Sequence, residues 1–236
     1  MMEHLQTGRA FGLSILAGLV AGGVLAGINV AIVQSYTAVL ADLEIENLLE
    51  EGEFDEEEFD IQLQSIYYSQ LYGSVIIGLA AGTGLGGTFV AGKIRLSPFK
   101  AALLIAGIAW FVLYIIPTVK YPPSPTATFD PEMTGTYQTL LAGYTAVSGL
   151  AALGIAFGFR KINRKGKVLG AAALYLVVVA GAYFAFPPYP SEDDSLLPQP
   201  AISAWRSAIS LSMNAFWFLL GIICGLLWTY GIKRPG

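Results

Sequence analysis

Apolar residues along the chain form six runs of about 20 residues, separated by short segments that hold most of the charges. A helical run of this length crosses the ~30 Å hydrocarbon core of a bilayer. The pattern predicts an all-α, polytopic membrane helix bundle of six transmembrane helices. The predicted spans are residues 10–33, 72–92, 101–116, 136–159, 168–186 and 207–230.

The composition agrees with this pattern, because 55% of the 236 residues are hydrophobic and only 13% are charged. An average soluble domain is roughly one quarter charged. The six runs use most of the chain, so we interpret residues 1–236 as a single transmembrane domain without a separate soluble domain. The first run exceeds the 7 to 15 apolar residues typical of a signal peptide, which predicts a retained anchor.

The charges also predict the orientation, because Lys and Arg accumulate on the cytoplasmic side of membrane proteins. If both termini are cytoplasmic, Lys120 and Arg206 are the only external cations among the 13 basic residues. Every acidic residue except Glu3 then falls in one of three external segments. We therefore predict a multi-pass protein of the cell membrane, surrounded by lipid, with both termini inside.

Residues 42–60, after the first span, are rich in acid and contain no Lys or Arg. Leucine, phenylalanine and isoleucine recur there at roughly helical spacing, which predicts one or two amphipathic helices at the membrane surface. A solvated face is the simpler interpretation. The sharper hypothesis is a segment that concentrates cations outside the membrane, with Asp42 and Glu46 as candidate metal ligands.

The segment between spans three and four is rich in proline, which predicts an extended or turning external loop over residues 118–135. Its Asp130 and Glu132 are candidate metal ligands at an external mouth. The same carboxylates could pair with the external cations, an ordinary loop contact in the simpler interpretation. The residues predicted for these gate ion pairs are Lys120, Tyr121 and Arg206.

Few polar residues lie within the spans, and such residues normally face the interior of a bundle. We predict that Asn29, Asn214 and Gln34 line a neutral polar path, with Gln70 nearer the outer interface. Hydrogen bonding between helices is the structural alternative. Glycines four residues apart predict close helix packing; they are Gly18/Gly22, Gly23/Gly27, Gly78/Gly82/Gly86, Gly154/Gly158 and Gly221/Gly225.

Enzyme functions find little support in the sequence. His4 is the only histidine, which excludes a three-histidine zinc site or a Ser-His-Asp triad within the membrane. A G-x-G-x-x-G match at Gly82 lies within a predicted span rather than after a strand, so it indicates helix packing. Cys224 is the only cysteine and has no disulfide partner within the chain. We predict no enzymatic activity, no permanently bound cofactor and no nucleic-acid partner.

The loop after span three also resembles the CbtA family of predicted cobalt transporter subunits. A span ending in proline, then Lys-Tyr-Pro, a spaced proline and Asp-Pro form the family pattern, and Trp205-Arg206 open the last span. Tyr137-Gln138 stand where the pattern has an arginine, and no histidine stands among the acids after span one. The loop positions that match are Pro117, Lys120, Tyr121, Pro122, Pro125, Asp130 and Pro131.

The resemblance implies uptake of cobalt for cobalamin synthesis, with a small single-span partner that carries a histidine-containing tail. The function predicted from the sequence is therefore a membrane subunit that takes up a divalent cation, cobalt or nickel, collected by external acids and conducted by the glycine-rich bundle. A homo-oligomer is compatible with this interpretation. The alternatives are a scaffold or assembly subunit that transports nothing, and a passive channel for another small solute.

Overall fold

The computed structural model describes residues 2–51, 55–92, 96–129, 131–159, 166–189 and 197–232. Within these ranges the chain is helical and contains no strand, which confirms the all-α prediction. Six helices are long and apolar enough to cross a membrane, as predicted. Their candidate spans are Thr7–Glu50, Phe59–Gly92, Pro98–Lys120, Met133–Phe159, Lys167–Ala185 and Gln199–Gly231.

The described part of the chain contains nine α-helical segments and two π-helical segments. The π segments interrupt the first and third candidate spans and are called here the first π segment, Asn29–Val33, and the second π segment, Phe111–Ile115. The α-helical segments are α1 Met2–Ile28, α2 Gln34–Glu51, α3 Glu56–Gly92, α4 Pro98–Trp110, α5 Ile116–Lys120, α6 Thr126–Phe129, α7 Pro131–Phe159, α8 Lys167–Ala185 and α9 Gln199–Gly231.

The acidic segment differs from the predicted surface helix. Helix α2 continues the first span without a break as far as Glu51, and α3 begins at Glu56, well before the predicted second span. Residues 52–54 lie outside the described ranges. The physical reason is visible in the sequence, because no Gly or Pro occurs between Ile28 and Glu51 to end the helix. The acids at 42–51 and 56–60 therefore occupy extensions of two spanning helices.

The predicted extended loop of residues 118–135 is also partly helical. The third candidate span ends at Lys120, a one-turn helix α6 follows at Thr126–Phe129, and α7 begins at Pro131. The Ser124 hydroxyl accepts a hydrogen bond of 3.3 Å from the Ala127 N–H and so caps α6. Pro131 is tolerated as the first residue of α7, because the N–H that proline lacks would have no helical partner there.

The chain forms two compact units, of which unit 1 comprises Met1–Ile108 and Leu196–Gly236. Its α1 and α3 meet through glycines, and their backbones are in direct contact. A Cβ atom at Gly22 would lie 2.8 Å from the Ser74 carbonyl oxygen, and one at Gly78 would lie 2.7 Å from the Gly22 Cα. The predicted close packing at Gly18, Gly22, Gly78 and Gly82 is thereby explained, since no larger residue fits.

Helix α9 packs against α1 and α4 in the same unit. Its buried positions recur at every fourth residue, so a continuous stripe along the helix is covered, and this stripe is called the covered face. Gly225 contacts the Phe99 ring of α4, where an added Cβ would lie 2.6 Å from the ring. The positions on the covered face are Ala208, Ser212, Phe216, Leu220, Cys224 and Trp228.

Unit 2 comprises Ala109–Ser195 and packs the second π segment against α7 and α8. Val112, Tyr175 and Val179 form a buried apolar cluster, extended by partly buried residues of α7. The outward face of α8 is apolar and exposed, with 85% of Phe184 and 76% of Leu169 accessible. Exposed apolar side chains on a membrane-spanning helix are suited to lipid.

Candidate functional site

Asn29, at the start of the first π segment in unit 1, forms hydrogen bonds with both ends of its side-chain amide. Its Nδ2 donates to the Ser74 hydroxyl at 2.9 Å, and its Oδ1 accepts from the Ser212 hydroxyl at 2.5 Å. The Ser74 hydroxyl in turn donates to the Gln70 carbonyl. Ser74 and Ser212 are almost completely buried. One amide thus joins the first candidate span to α3 and α9.

A second polar layer surrounds Thr37, two helical turns after Asn29. The Thr37 hydroxyl accepts hydrogen bonds from Trp205 Nε1 at 3.1 Å and from Gln70 Nε2 at 3.3 Å. It donates its own hydrogen to the Val33 carbonyl at 3.0 Å. Thr37 is fully buried, so α2, α3 and α9 are again joined by polar side chains within the packed interior.

A third polar layer lies around Ser14, near the opposite end of α1. The Ser14 hydroxyl donates to the Ala10 carbonyl and accepts from Trp228 Nε1 at 2.9 Å. The Trp228 indole stacks on Phe89, with ring centroids 4.0 Å apart. Cys224 is buried beside Ser14.

The three layers lie along the same contact between the first candidate span, α3 and α9, and together they are called the polar seam. Ser14 and Asn29 are separated by about 22 Å of helix, and Asn29 and Thr37 by about 12 Å, at 1.5 Å per residue. The seam therefore extends over roughly the thickness of a hydrocarbon core. Its side-chain oxygens are hydroxyl and amide groups that carry no formal charge.

Unit 2 contains a separate buried polar chain, whose origin is Pro117. Proline has no N–H and its ring would collide with the carbonyl four residues earlier, so the helix widens before it. The Ile116 N–H bonds to the Phe111 carbonyl, five residues back. The Val112 carbonyl thereby loses the N–H of residue 116, and Pro117 cannot supply another.

Ser148 on α7 satisfies this carbonyl. Its hydroxyl donates to the Val112 oxygen at 2.6 Å and lies 2.7 Å from the Tyr175 hydroxyl on α8. A serine has one hydroxyl hydrogen, and a carbonyl only accepts, so the Tyr175 hydroxyl must be the donor to Ser148. Tyr144 adds a further bond across unit 2, from its hydroxyl to the Val179 carbonyl at 3.1 Å.

Replacing Ser148 by alanine should destabilise unit 2, because the Val112 carbonyl and the Tyr175 hydroxyl both lose their partner in an apolar interior. We expect a loss of about 1–3 kcal/mol in the free energy of unfolding. Denaturant titration of the purified protein in mixed micelles measures it. Thr139→Ala on α7 is the matched control, since Thr139 is exposed and bonds only within its own helix. Equal unfolding midpoints for the two variants would contradict this account.

Other residues predicted to line the path lie at different places in unit 1. Gln34 is partly buried and its Nε2 reaches the Tyr67 carbonyl at 3.5 Å, a long hydrogen bond. Asn214 is exposed, two residues beyond Ser212 and therefore on the other side of α9. Asn214 makes an interaction of its own. The structure thus pairs the Asn29 amide with Ser74 and Ser212.

The predicted metal ligands are placed only in part. Asp42 and Glu46 are exposed and one helical turn apart on α2, and Asp42 lies within electrostatic range of the Tyr67 hydroxyl. Asp130 and the side chain of Glu132 lie outside the described part of the chain. Among the described residues, no three His, Cys, Asp or Glu side chains come together in a way that could hold a metal ion.

Two of the three residues predicted for gate ion pairs, Lys120 and Tyr121, have aromatic surroundings in unit 2. The Lys120 ammonium lies 4.4 Å from the centroid of the Tyr183 ring, a cation–π contact. Tyr121 is fully buried; its hydroxyl donates to the Pro187 carbonyl at 2.7 Å, and its burial raises the pKa of the phenol. In unit 1, Arg206 is partly buried at the start of α9 and makes an interaction of its own. The predicted pairing of Lys120 or Arg206 with Asp130 or Glu132 involves side chains outside the described part of the chain.

Several serines of these polar contacts were not predicted from the sequence, although a signal was present. Ser14 precedes Gly18 and Gly22 at steps of four residues, and Ser74 precedes Gly78 in the same way. These serines continue the small-residue faces that bring α1 and α3 together. Ser212 lies on the covered face of α9, which recurs at the same spacing.

Six helices that are long and apolar enough to span a membrane define a multi-pass membrane protein, and comparison with known families makes the assignment more specific. Residues 9–229 match the family model of CbtA, described as a probable cobalt transporter subunit, and the chain belongs to that family. This confirms the resemblance seen in the loop after span three. No curated protein and no solved structure matches the chain.

Proposed function

We propose that the chain is the membrane-embedded subunit of an uptake system for a divalent transition-metal ion, with cobalt for cobalamin synthesis as its cargo. The observation that carries the proposal is the polar seam of unit 1, in a chain that belongs to a cobalt transporter family. In lipid, buried polar groups of this kind mark substrate or ion pathways as well as helix contacts.

The path that we propose runs along the α9 side of the seam. Between α1 and α3 the glycine contact brings backbone atoms together, so an ion cannot pass there. Facing α9, by contrast, the seam offers amide and hydroxyl oxygens in layers along the bilayer normal. Neutral oxygens can replace part of the water shell of a cation without binding it so tightly that release becomes slow.

Cation collection would take place outside the membrane, on the helical extensions of the first two spans. Asp42 and Glu46 are exposed there, and Asp42 lies near Tyr67, one turn from Gln70. Asp130 and Glu132 are proposed to act in the same way in the loop before α7. Exposed carboxylates raise the local concentration of a divalent ion, and hard or borderline divalent ions accept oxygen ligands.

The remaining parts of the proposal concern the setting of the protein. Both termini lie in the cytoplasm, the membrane is the cell membrane, and the acidic extensions face outward. A small single-span partner with a histidine-containing tail supplies imidazole ligands, since this chain has only His4. The subunit itself performs no catalysis.

A scaffold or assembly subunit that transports nothing is the second candidate. The observation in its favour is the dense packing of the seam, where Ser14, Thr37, Ser74 and Ser212 are buried and hydrogen-bonded between helices. Hydrogen bonds of this kind also hold a bundle together, at about 0.6–2 kcal/mol each.

Uptake of radioactive cobalt by cells expressing the chain, alone and together with the single-span partner, tests the proposal. We expect accumulation several-fold above cells carrying an empty vector, and competition by nickel rather than by magnesium, because borderline ions bind nitrogen and oxygen ligands more tightly. Cobalt levels equal to the empty vector in both arms, with the protein present in the membrane, would favour the scaffold instead.

A further inference from the structure

The side-chain oxygen of Gln70 is buried and accepts no hydrogen bond in the part of the chain that the structure describes. Gln70 lies on α3 between the Asn29 and Thr37 layers of the polar seam. Its backbone carbonyl accepts a hydrogen bond from the Ser74 hydroxyl, and its Nε2 donates one to the Thr37 hydroxyl. Both polar layers therefore contact this residue, and its Oε1 is the atom that they leave without a partner.

The Thr37 hydroxyl, which accepts a hydrogen bond from the Gln70 amide, cannot also donate one to this oxygen. Thr37 has one hydroxyl hydrogen, which it donates to the Val33 carbonyl. The same hydroxyl oxygen accepts hydrogen bonds from Gln70 Nε2 and Trp205 Nε1. Turning the Gln70 amide over would place Oε1 against the same hydroxyl and leave the amide N–H₂ as the buried group without an acceptor. Either orientation leaves at least one end of the amide unpaired.

A buried acceptor without a donor is costly, and in native structures such a group usually has a function or an unseen partner. The partner must bring hydrogen-bond donors or positive charge to an oxygen that is already inside the bundle. A water molecule or a partly hydrated cation meets this requirement, whereas an anion does not.

We propose that the Gln70 side-chain oxygen is a ligand for the transported divalent cation, reached directly or through a water of its hydration shell. This inference rests on the proposed function and adds a specific site to it. The cation would come from the acidic extension of α2, since Asp42 lies near Tyr67, one helical turn before Gln70 on α3. From there the Asn29 layer is the next polar layer along the seam.

The test is equilibrium binding of Co²⁺ to the purified full-length chain in detergent, which does not depend on transport. Gln70→Leu should weaken Co²⁺ binding about tenfold, the effect of losing one hydrogen bond to a charged ligand. Gln70→Glu keeps the length and an oxygen ligand and adds charge, so it should bind Co²⁺ at least as tightly as the native chain. Gln64→Leu, an exposed glutamine on the same helix, is the matched control and should leave binding unchanged.

Equal Co²⁺ affinity for the native chain and for Gln70→Leu would overturn this site, as would equal weakening in Gln64→Leu. Thermal unfolding in the absence of metal keeps the result interpretable, because a folded Gln70→Leu with unaltered affinity excludes Gln70 as a ligand. Gln70→Glu gives a second test if the leucine variant does not fold. A different result is that the purified chain binds Co²⁺ in a Gln70-dependent way but cells expressing it take up no cobalt. That result would reject the transport function and retain the site.

Discussion

Gly78→Ala is expected to reduce the amount of folded protein, because the added methyl group would collide with backbone atoms of α1. The new Cβ would lie 2.7 Å from the Gly22 Cα and 2.9 Å from its nitrogen, and neither backbone can move without separating the two helices. We expect a cost of at least about 3 kcal/mol, which lowers the ratio of folded to unfolded protein about a hundredfold. Size-exclusion chromatography of a fluorescent fusion in mild detergent measures the loss of the folded peak.

Gly84→Ala provides the control on the same helix. A Cβ at Gly84 meets no atom within 4 Å, and alanine forms helix better than glycine by about 1 kcal/mol. The control should elute like the native chain and unfold at the same or a higher temperature. Similar yields of folded Gly78→Ala and Gly84→Ala would mean that α1 and α3 do not meet through their glycines.

Asn29→Leu is expected to lower cobalt uptake about tenfold while leaving folded protein in the membrane. The change removes the acceptor of the Ser212 hydroxyl and the donor to Ser74, so the layer at the middle of the seam loses its link between three helices. A tenfold change in rate corresponds to about 1.4 kcal/mol, close to the value of one or two hydrogen bonds within the membrane. Initial rates of cobalt uptake, divided by the amount of protein in the membrane, measure the effect.

Asn214→Leu is the comparison for this variant, because Asn214 is exposed on the other side of α9 from Ser212. Uptake by Asn214→Leu should stay within about twofold of the native rate, as for most exposed substitutions. A loss of uptake that is equal in the two variants would place the path elsewhere than in the seam.

The six spans could be predicted from the sequence because the length of an apolar run is fixed by the bilayer. Their ends could not be predicted from hydropathy alone. Helix α2 continues into the acids because nothing stops it, and the absence of Gly and Pro between Ile28 and Glu51 was the informative signal. Hydropathy reports where lipid ends, whereas helix termination depends on breakers and caps.

The polar contacts were harder to predict than the spans. Asn29 stands out in an apolar run, but its partners Ser74 and Ser212 are small residues that the sequence shares with ordinary packing faces. Which residues of two antiparallel helices meet depends on their relative translation, and a single sequence does not contain that information. The repeat of four residues on α9 distinguishes Ser212 from Asn214 only once the covered face is known.

The two π segments change how positions along their helices must be compared. Each one inserts an extra residue into a turn, so side chains beyond it are rotated relative to an uninterrupted helix. A helical wheel drawn through the whole of Thr7–Glu50 or Pro98–Lys120 therefore assigns residues after Val33 or Ile115 to the wrong sector. A wheel that skips one residue within each π segment would bring the polar and apolar sectors of both helices back into phase.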